Sequence, residues 1–279
     1  MPELPEVETV ARGLQASLVG RVIVQVEILW TRAIVAPDPA TFSERVTGQL
    51  VAGVDRRGKW LVLSLSGGET LLIHLRMSGR VVIESEPCLD NRHVRVMFLL
   101  DDGQRLSFID QRKFGRLHLT PHPKEILGTL GPEPLSEPFT PARFEEMLRR
   151  RRGRIKPLLL NQHFLAGLGN IYTDEALWHA RVHPLRRANT LSGEEVHRLH
   201  RGIQAVLRAA IGSGGTTLQD EAYRQTDGRS GEYGGRLAVY GRDGYPCPRC
   251  AETIARITVG QRGTHFCPRC QPSDPSQQP

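Results

Sequence analysis

Apolar positions recur at helical spacing over residues 5–18, where Val7, Val10, Leu14 and Leu18 line one face. Pro5 suits a first helical turn, and Glu6 and Glu8 suit the positive end of the helix dipole. From residue 21 to about 120 the period falls to two: Val22, Val24, Val26 and Ile28 alternate, as do Leu61, Leu63 and Leu65. Ser66-Gly67-Gly68 and Asp101-Asp102-Gly103 read as tight turns. Short strands joined in this way predict an antiparallel β-sandwich.

Six prolines within 121–141 mark a linker, with one short helical turn near 125–130. Over 141–211 the period is helical again. Ser192-x-x-Glu195 reads as a capping box, and Val196, Leu199, Ile203, Val206 and Ala210 follow on one helix face. Residues 212–236 hold seven glycines and neither period; loops this long in compact domains are usually functional lids or disordered segments. Residues 272–279 form a polar tail expected to be disordered. The fold class is therefore α+β and multidomain.

Composition narrows the chemistry. The 279 residues are 39% hydrophobic, enough for an ordinary core, and no run approaches the roughly 18 apolar residues of a membrane span. The acidic, proline-broken start is unlike a secretory signal, so a cytoplasmic protein without membrane contact is expected. The net charge is +7, which favours a polyanionic partner. Residues 1–120 carry 15 basic and 14 acidic groups, whereas 121–279 carry 22 and 16, so the excess lies in the second half. Six cations crowd 149–156: Arg149, Arg150, Arg151, Arg152, Arg154 and Lys156. Such a run is either a solvated helix end or a phosphate-binding surface. The glycine-rich turn at 165–172, ending in Asn170-Ile171-Tyr172, favours phosphate contact, since the helix after it offers N–H groups at its positive end.

Cys247-Pro-Arg-Cys250 and Cys267-Pro-Arg-Cys270 stand 16 residues apart. Two such knuckles are a strong zinc signal, and four thiolates leave no open position for water, so one structural Zn²⁺ is expected. A rubredoxin-like iron site is the minor alternative. The hairpin between the knuckles carries Arg256 and Arg262. Cys88 reads as a small apolar residue.

Pro2 follows the initiator Met1, and a small second residue permits Met removal, which would leave a secondary amine. Such an α-amino group is partly neutral at physiological pH and nucleophilic. Glu3 beside it could carry protons. On these residues alone, a helix lead-in is the better explanation of both.

The string PELPEVET at 2–9, the turn GLGNIYTDEAL at 167–177 and the terminal four-cysteine module closely resemble the formamidopyrimidine-DNA glycosylase family. Arg57-Gly-Lys59-Trp60-Leu61, His74-Leu-Arg-Met77-Ser-Gly79, Asp110-Gln-Arg112-Lys-Phe114-Gly115, Leu130-Gly-Pro-Glu-Pro-Leu135 and Gly214-Gly-Thr-Thr-Leu218 agree in the same order, over residues 2–271. The resemblance implies a base-excision DNA-repair enzyme for oxidised purines (8-oxoguanine and formamidopyrimidines). Such an enzyme is both a DNA glycosylase and a lyase for apurinic or apyrimidinic sites, cutting the strand by β,δ-elimination. It implies a catalytic N-terminal helix and β-sandwich domain (1–120), a linker (121–141), a helix-two-turns-helix domain with a lesion loop (142–236) and a zinc finger (237–271). DNA would lie in the cleft between the domains.

Carried over by position, Pro2 is the nucleophile and Glu3 its proton donor and acceptor. Lys59 assists β-elimination and phosphate contact, and Arg262 binds phosphate and assists δ-elimination. Met77, Arg112 and Phe114 match the wedge that fills the gap left by the extruded nucleotide, and His93, Arg151, Lys156 and Asn170 match DNA contacts. Glu6 and Glu175 match positions near the pocket. Read without the resemblance, Met77 and Phe114 would be strand core. The implied partner is double-stranded DNA with damaged bases, bound by a monomer. Lys113 departs from the arginine common beside the wedge, Arg151 stands where lysine is frequent, and the loop at 219–236 is where members vary. The competing readings are an endonuclease VIII-type enzyme for oxidised pyrimidines, disfavoured by Leu4 and the complete wedge set, and a catalytically silent DNA-binding protein, disfavoured by Pro2, Glu3 and Lys59.

Overall fold

In the computed structural model the apolar stripe of the first helix is buried: α1 (Leu4–Leu18) puts Val7, Val10, Leu14 and Leu18 into the core. The structure describes residues 1–84, 92–218 and 223–273; Cys88 and residues 219–222 and 274–279 of the expected loop and tail fall outside these. The chain packs as two compact units, one of residues 1–129 with 213–234, the other of residues 130–212 with the chain from 235 on.

After α1 the first unit continues as β1 (Ile23–Ile28), β2 (Ile34–Ala36), α2 (Pro39–Val46), β3 (Val51–Arg57), β4 (Trp60–Leu65), β5 (Thr70–His74), β6 (Gly79–Glu84), β7 (Val94–Leu100), β8 (Arg105–Asp110), β9 (Arg116–Thr120) and the short α3 (Lys124–Leu127). The strands form two sheets, ordered β1-β7-β8-β6 and β2-β9-β5-β4-β3. Leu61, Leu63, Phe98 and Phe108 meet the α1 stripe in one core. Two features differ from the expected antiparallel sandwich. The edge pair β2–β9 is parallel, because β2 enters the sheet from the loop after β1 rather than through a hairpin. The Val22–Ile28 alternation breaks at a bulge between Ile23 and Gln25, which buries Ile23 and leaves Val24 43% exposed.

The second unit holds α4 (Pro141–Arg149), α5 (Ile155–Leu160), α6 (Asn170–Ala180), α7 (Gly193–Gly212) and the hairpin β10 (Ala255–Val259) and β11 (Arg262–Phe266). The predicted capping box opens α7: Ser192 N–H donates to Glu195 Oε2 at 2.8 Å, and Glu195 N–H to Ser192 Oγ at 3.2 Å. The expected face Val196, Leu199, Ile203, Val206 and Ala210 is buried. α6 is buried on nearly every side and packs against α5, α7 and β11. Residues 213–218 and 223–234, expected with the helical region, pack instead with the first unit, where the Thr216 N–H donates to Glu6 in the first turn of α1.

Candidate functional site

In the first unit the site begins at the start of α1, where Pro2 and Glu3 are buried and Met1 is exposed. Glu3 is the N-cap, and a capping box with Glu6 fixes it: the Glu3 N–H donates to Glu6 Oε2 at 2.8 Å. The other Glu6 oxygen, Oε1, accepts the Thr216 N–H at 2.8 Å. One buried carboxylate thus joins the first helical turn to chain 210 residues away. Tyr223 covers this joint; it is buried, donates to the Gly214 carbonyl at 3.0 Å, and its hydroxyl pKa is raised, by burial and then by the Glu6 charge.

Lys59 lies in the β3–β4 turn and is 6% exposed. Arg56 ties that turn to α1: its Nε donates to Glu8 Oε2 at 2.8 Å and its Nη1 to the Gly58 carbonyl at 3.0 Å. Glu8 is held below the usual carboxylate range; burial opposes this, and the Arg56 hydrogen bond and charge outweigh it. Pro2, Glu3 and Lys59 therefore stand on a helix start and a turn that are braced to each other.

Met77, Arg112 and Phe114 occupy two neighbouring turns of the same unit, one leading into β6 and one between β8 and β9. Met77 is half-buried, Arg112 is exposed, and Phe114 is 47% exposed, unusual for a large aromatic. The Arg112 guanidinium lies 5.1 Å from the Phe114 ring centroid. His93 is half-buried just before β7, and its carbonyl accepts the Asp110 N–H at 2.9 Å.

In the second unit, Arg151 is exposed beyond α4, with its guanidinium 5.9 Å from the Phe164 ring. Arg149 and Arg150 are paired to Glu145 and Glu146 one helical turn back, so part of the basic run is internally neutralised. Lys156, expected to face DNA, is instead fully buried: its ammonium donates to Asp174 Oδ1 at 2.6 Å and to the Gly263 carbonyl at 3.1 Å. α6 sets the Asp174 carboxylate against it, and neither side chain reaches solvent. Asn170, the first residue of α6, donates Nδ2 to the same Gly263 carbonyl at 2.9 Å, and its buried Oδ1 has no hydrogen-bond partner among the described residues. Asp174 Oδ2 accepts the His265 N–H at 2.9 Å. These bonds fasten the hairpin beside Arg262, which is exposed at the start of β11. Sequence reasoning missed Asp174, since nothing in the pattern pairs a helical aspartate with a lysine 18 positions earlier. Glu175 accepts the N–H groups of Ala238, Val239 and Tyr240, each at 2.9 Å; burial raises its pKa and these donors oppose that.

The Sγ atoms of Cys247, Cys250, Cys267 and Cys270 lie within 4.8 Å of one another. Zinc–thiolate bonds of about 2.3 Å in a tetrahedron set sulfurs about 3.8 Å apart. The Cys250–Cys267 and Cys247–Cys270 separations are 3.5 and 4.0 Å, so the set fits that ion. The Cys270 N–H donates to Cys267 Sγ and the Trp178 indole to Cys247 Sγ, both at 3.4 Å, which supports ligands carrying negative charge. The Gln271 amide donates to the Val182 carbonyl at 2.9 Å and anchors the second knuckle behind α6.

Three family models match the chain: the formamidopyrimidine-DNA glycosylase N-terminal domain over residues 1–117, the H2TH domain of the same glycosylase over 130–222, and a zinc finger found in FPG and IleRS over 244–272. A formamidopyrimidine-DNA glycosylase from Roseiflexus sp. (strain RS-1) is 48% identical, covering 97% of this chain and 100% of the relative. That of Symbiobacterium thermophilum is 50% identical over 98% of this chain and 90% of the relative. The crystal structure of the MutM (Fpg) protein from Thermus thermophilus is similar at TM-score 0.89 and 43% identity, covering 98% of this chain and 100% of that one. A complex of Lactococcus lactis Fpg with DNA containing an abasic site is similar at TM-score 0.90 and 37% identity, covering 97% and 100%.

Proposed function

The chain belongs to the formamidopyrimidine-DNA glycosylase family, and on that premise we propose that it removes oxidised purines through an amine at Pro2. It is a base-excision DNA-repair enzyme with glycosylase and abasic-site lyase activity. The single observation that carries the assignment of Pro2 is the braced start of α1. There the residue beside Pro2 is clamped through Glu6 to Thr216, and the Lys59 turn is tied to the same helix through Arg56 and Glu8.

Once Met1 is removed, the Pro2 nitrogen attacks C1′ of the extruded nucleotide as the bond from C1′ to the base breaks, and the base leaves with a proton. Glu3, buried with its backbone fixed, is the group one residue away that can carry protons during base loss and ring opening. The resulting iminium draws electrons toward C1′. Loss of the C2′ proton then expels the 3′ phosphate, and loss of the C4′ proton expels the 5′ phosphate. Lys59, on the turn tied to α1, carries the proton in the first elimination, and exposed Arg262 meets phosphate in the second. Zinc, when bound to the four thiolates, supplies structure only; Cys247, Cys250, Cys267 and Cys270 shape the module behind the hairpin that bears Arg262. An extruded base leaves a hole in the duplex, which Met77 and Phe114 fill while Arg112 meets the orphaned base. His93, Arg151 and Arg262 contact phosphate, and Lys156 and Asn170 act by holding the hairpin backbone beside Arg262.

No helix among the described residues is long and apolar enough to cross a membrane. Four thiols reserved for a metal suit a reducing compartment, and we place the protein in the cytoplasm. The test is excision from duplexes carrying 8-oxoguanine, a formamidopyrimidine or an oxidised pyrimidine opposite each of the four bases. Preferential release of the two purine lesions supports the reading; preferential release of the pyrimidine overturns it.

A further inference from the structure

Between the two turns that present Met77, Arg112 and Phe114 lies one carboxylate that no catalytic step uses. Asp110, the last residue of β8, is 0% exposed. Its Oδ1 accepts the Ser78 hydroxyl at 2.5 Å and the Arg112 N–H at 3.2 Å, and its Oδ2 accepts the Gly115 N–H at 2.7 Å. Ser78 Oγ also accepts the Arg112 N–H, at 3.1 Å. Each of the three wedge side chains is thus next to, or on, a residue bonded to this group: Met77 beside Ser78, Arg112 itself, and Phe114 beside Gly115. Asp110 is in turn held at its backbone, where its carbonyl accepts Arg95 Nε at 2.8 Å.

Both turns need such support. Arg76, just before Met77, has φ 55°, and Lys113, between Arg112 and Phe114, has φ 60°. Left-handed backbone at a non-glycine residue is unfavourable and persists only where the surroundings over-determine it. Gly115 admits no side chain, since a Cβ there would come within 2.2 Å of the Phe108 ring. A buried carboxylate is costly unless hydrogen-bonded, and Asp110 meets donors on both of its oxygens. Two acceptor oxygens can join two turns. An amide, with one acceptor oxygen, can satisfy only one.

We propose that Asp110 is the positioning residue of the wedge: it sets both turns before DNA arrives, so that Met77, Arg112 and Phe114 enter the duplex as one preformed plug. The proposal rests on the wedge role given to those three residues. A plug ordered in advance loses little freedom on insertion, so loosening it slows steps that need the hole filled and spares those that do not.

The test compares full-length, zinc-loaded wild type with Asp110→Asn, Ser78→Ala and Phe114→Ala on two 8-oxoguanine substrates. One is an intact duplex; the other is the lesion strand alone, which has no base stack to plug and no orphaned base. A misplaced catalytic or positioning group costs up to about a hundredfold. Asp110→Asn should lose about tenfold or more in kcat/KM on the intact duplex and less than about twofold on the single strand. Ser78→Ala, which keeps the buried charge, should show the same selectivity at smaller size and carries the test if the asparagine variant does not fold. Equal losses on both substrates, or none on either, would overturn the proposal. The underlying readings fail differently: no excision by wild type sinks the enzyme assignment, and an unimpaired Phe114→Ala on the intact duplex sinks the wedge.

Discussion

The Lys156 ammonium lies 2.6 Å from Oδ1 of Asp174, and neither side chain has any exposure to solvent. The pair joins α5 to α6 and, through the Gly263 carbonyl and the His265 N–H, to the zinc hairpin. Removing one partner of a buried pair strands the other charge, at a cost of about 3–5 kcal/mol. Asp174→Ala should lower unfolding stability by that amount in urea titration. It should also weaken DNA binding, because the backbone beside Arg262 is released. Unchanged stability would contradict the buried-pair assignment.

The hairpin makes a separable electrostatic prediction. Arg262→Ala should keep zinc bound and reduce the slope of log affinity against log salt by about 1. Cys267→Ser should release zinc, alter the emission of Trp178, whose indole bonds Cys247, and weaken DNA binding further. Full DNA affinity in a zinc-free variant would remove the hairpin from the interface.

His74 is pushed down to about 3, by burial first and then by the Arg76 and Lys59 charges. Its Nδ1 accepts the Arg76 N–H at 3.0 Å, which requires the neutral ring. Above pH 6.5 folded and unfolded chains both carry neutral imidazole at this position. Below it the unfolded chain gains a proton that the folded chain refuses, so stability falls as the pH drops toward 3, by up to about 1.4 kcal/mol per unit. His118, His179 and His183 are also lowered, chiefly by burial, and share this trend. In urea midpoints measured from about pH 7 to about pH 4, His74→Asn should remove one proton's worth of the slope. An unchanged slope would place the titration elsewhere.

Glu6 accepts N–H groups from Glu3 and Thr216. Buried donors left without a partner cost about 1–3 kcal/mol each. Glu6→Ala should therefore loosen both the Pro2 end of α1 and residues 213–234, seen as faster limited proteolysis there and a lower excision rate. Glu6→Gln, which keeps one acceptor, should fall between the two. Wild-type proteolysis in Glu6→Ala would mean that other bonds hold the joint.

What could be read in advance was local. Leu61, Leu63 and Leu65 declare a strand, Ser192 and Glu195 a helix start, and two matched knuckles a metal site, because each signal lies within a few residues or one repeated motif. α2 was missed although its signals are present: Asp38 accepts from the Ala40 and Thr41 N–H groups, and Phe42 and Val46 bury one short face. Eight residues within a run of strands were too few to change the period. The pairings that brace the candidate site were not legible. Asp110 meets Ser78 across 32 residues, Glu6 meets Thr216 across 210, and Lys156 turns inward to a partner visible only once α6 packs. Burial and charge pairing, not sequence pattern, decide those positions.

The most direct measurement of the central claim is borohydride trapping on 8-oxoguanine duplex followed by mapping of the modified peptide. Only four lysines, Lys59, Lys113, Lys124 and Lys156, compete as amines within the chain, so the map is readily resolved. The account requires a covalent DNA adduct on the N-terminal proline, with Met1 absent, and none on Lys59. An adduct on Lys59, or no adduct while DNA binding is retained, would contradict it.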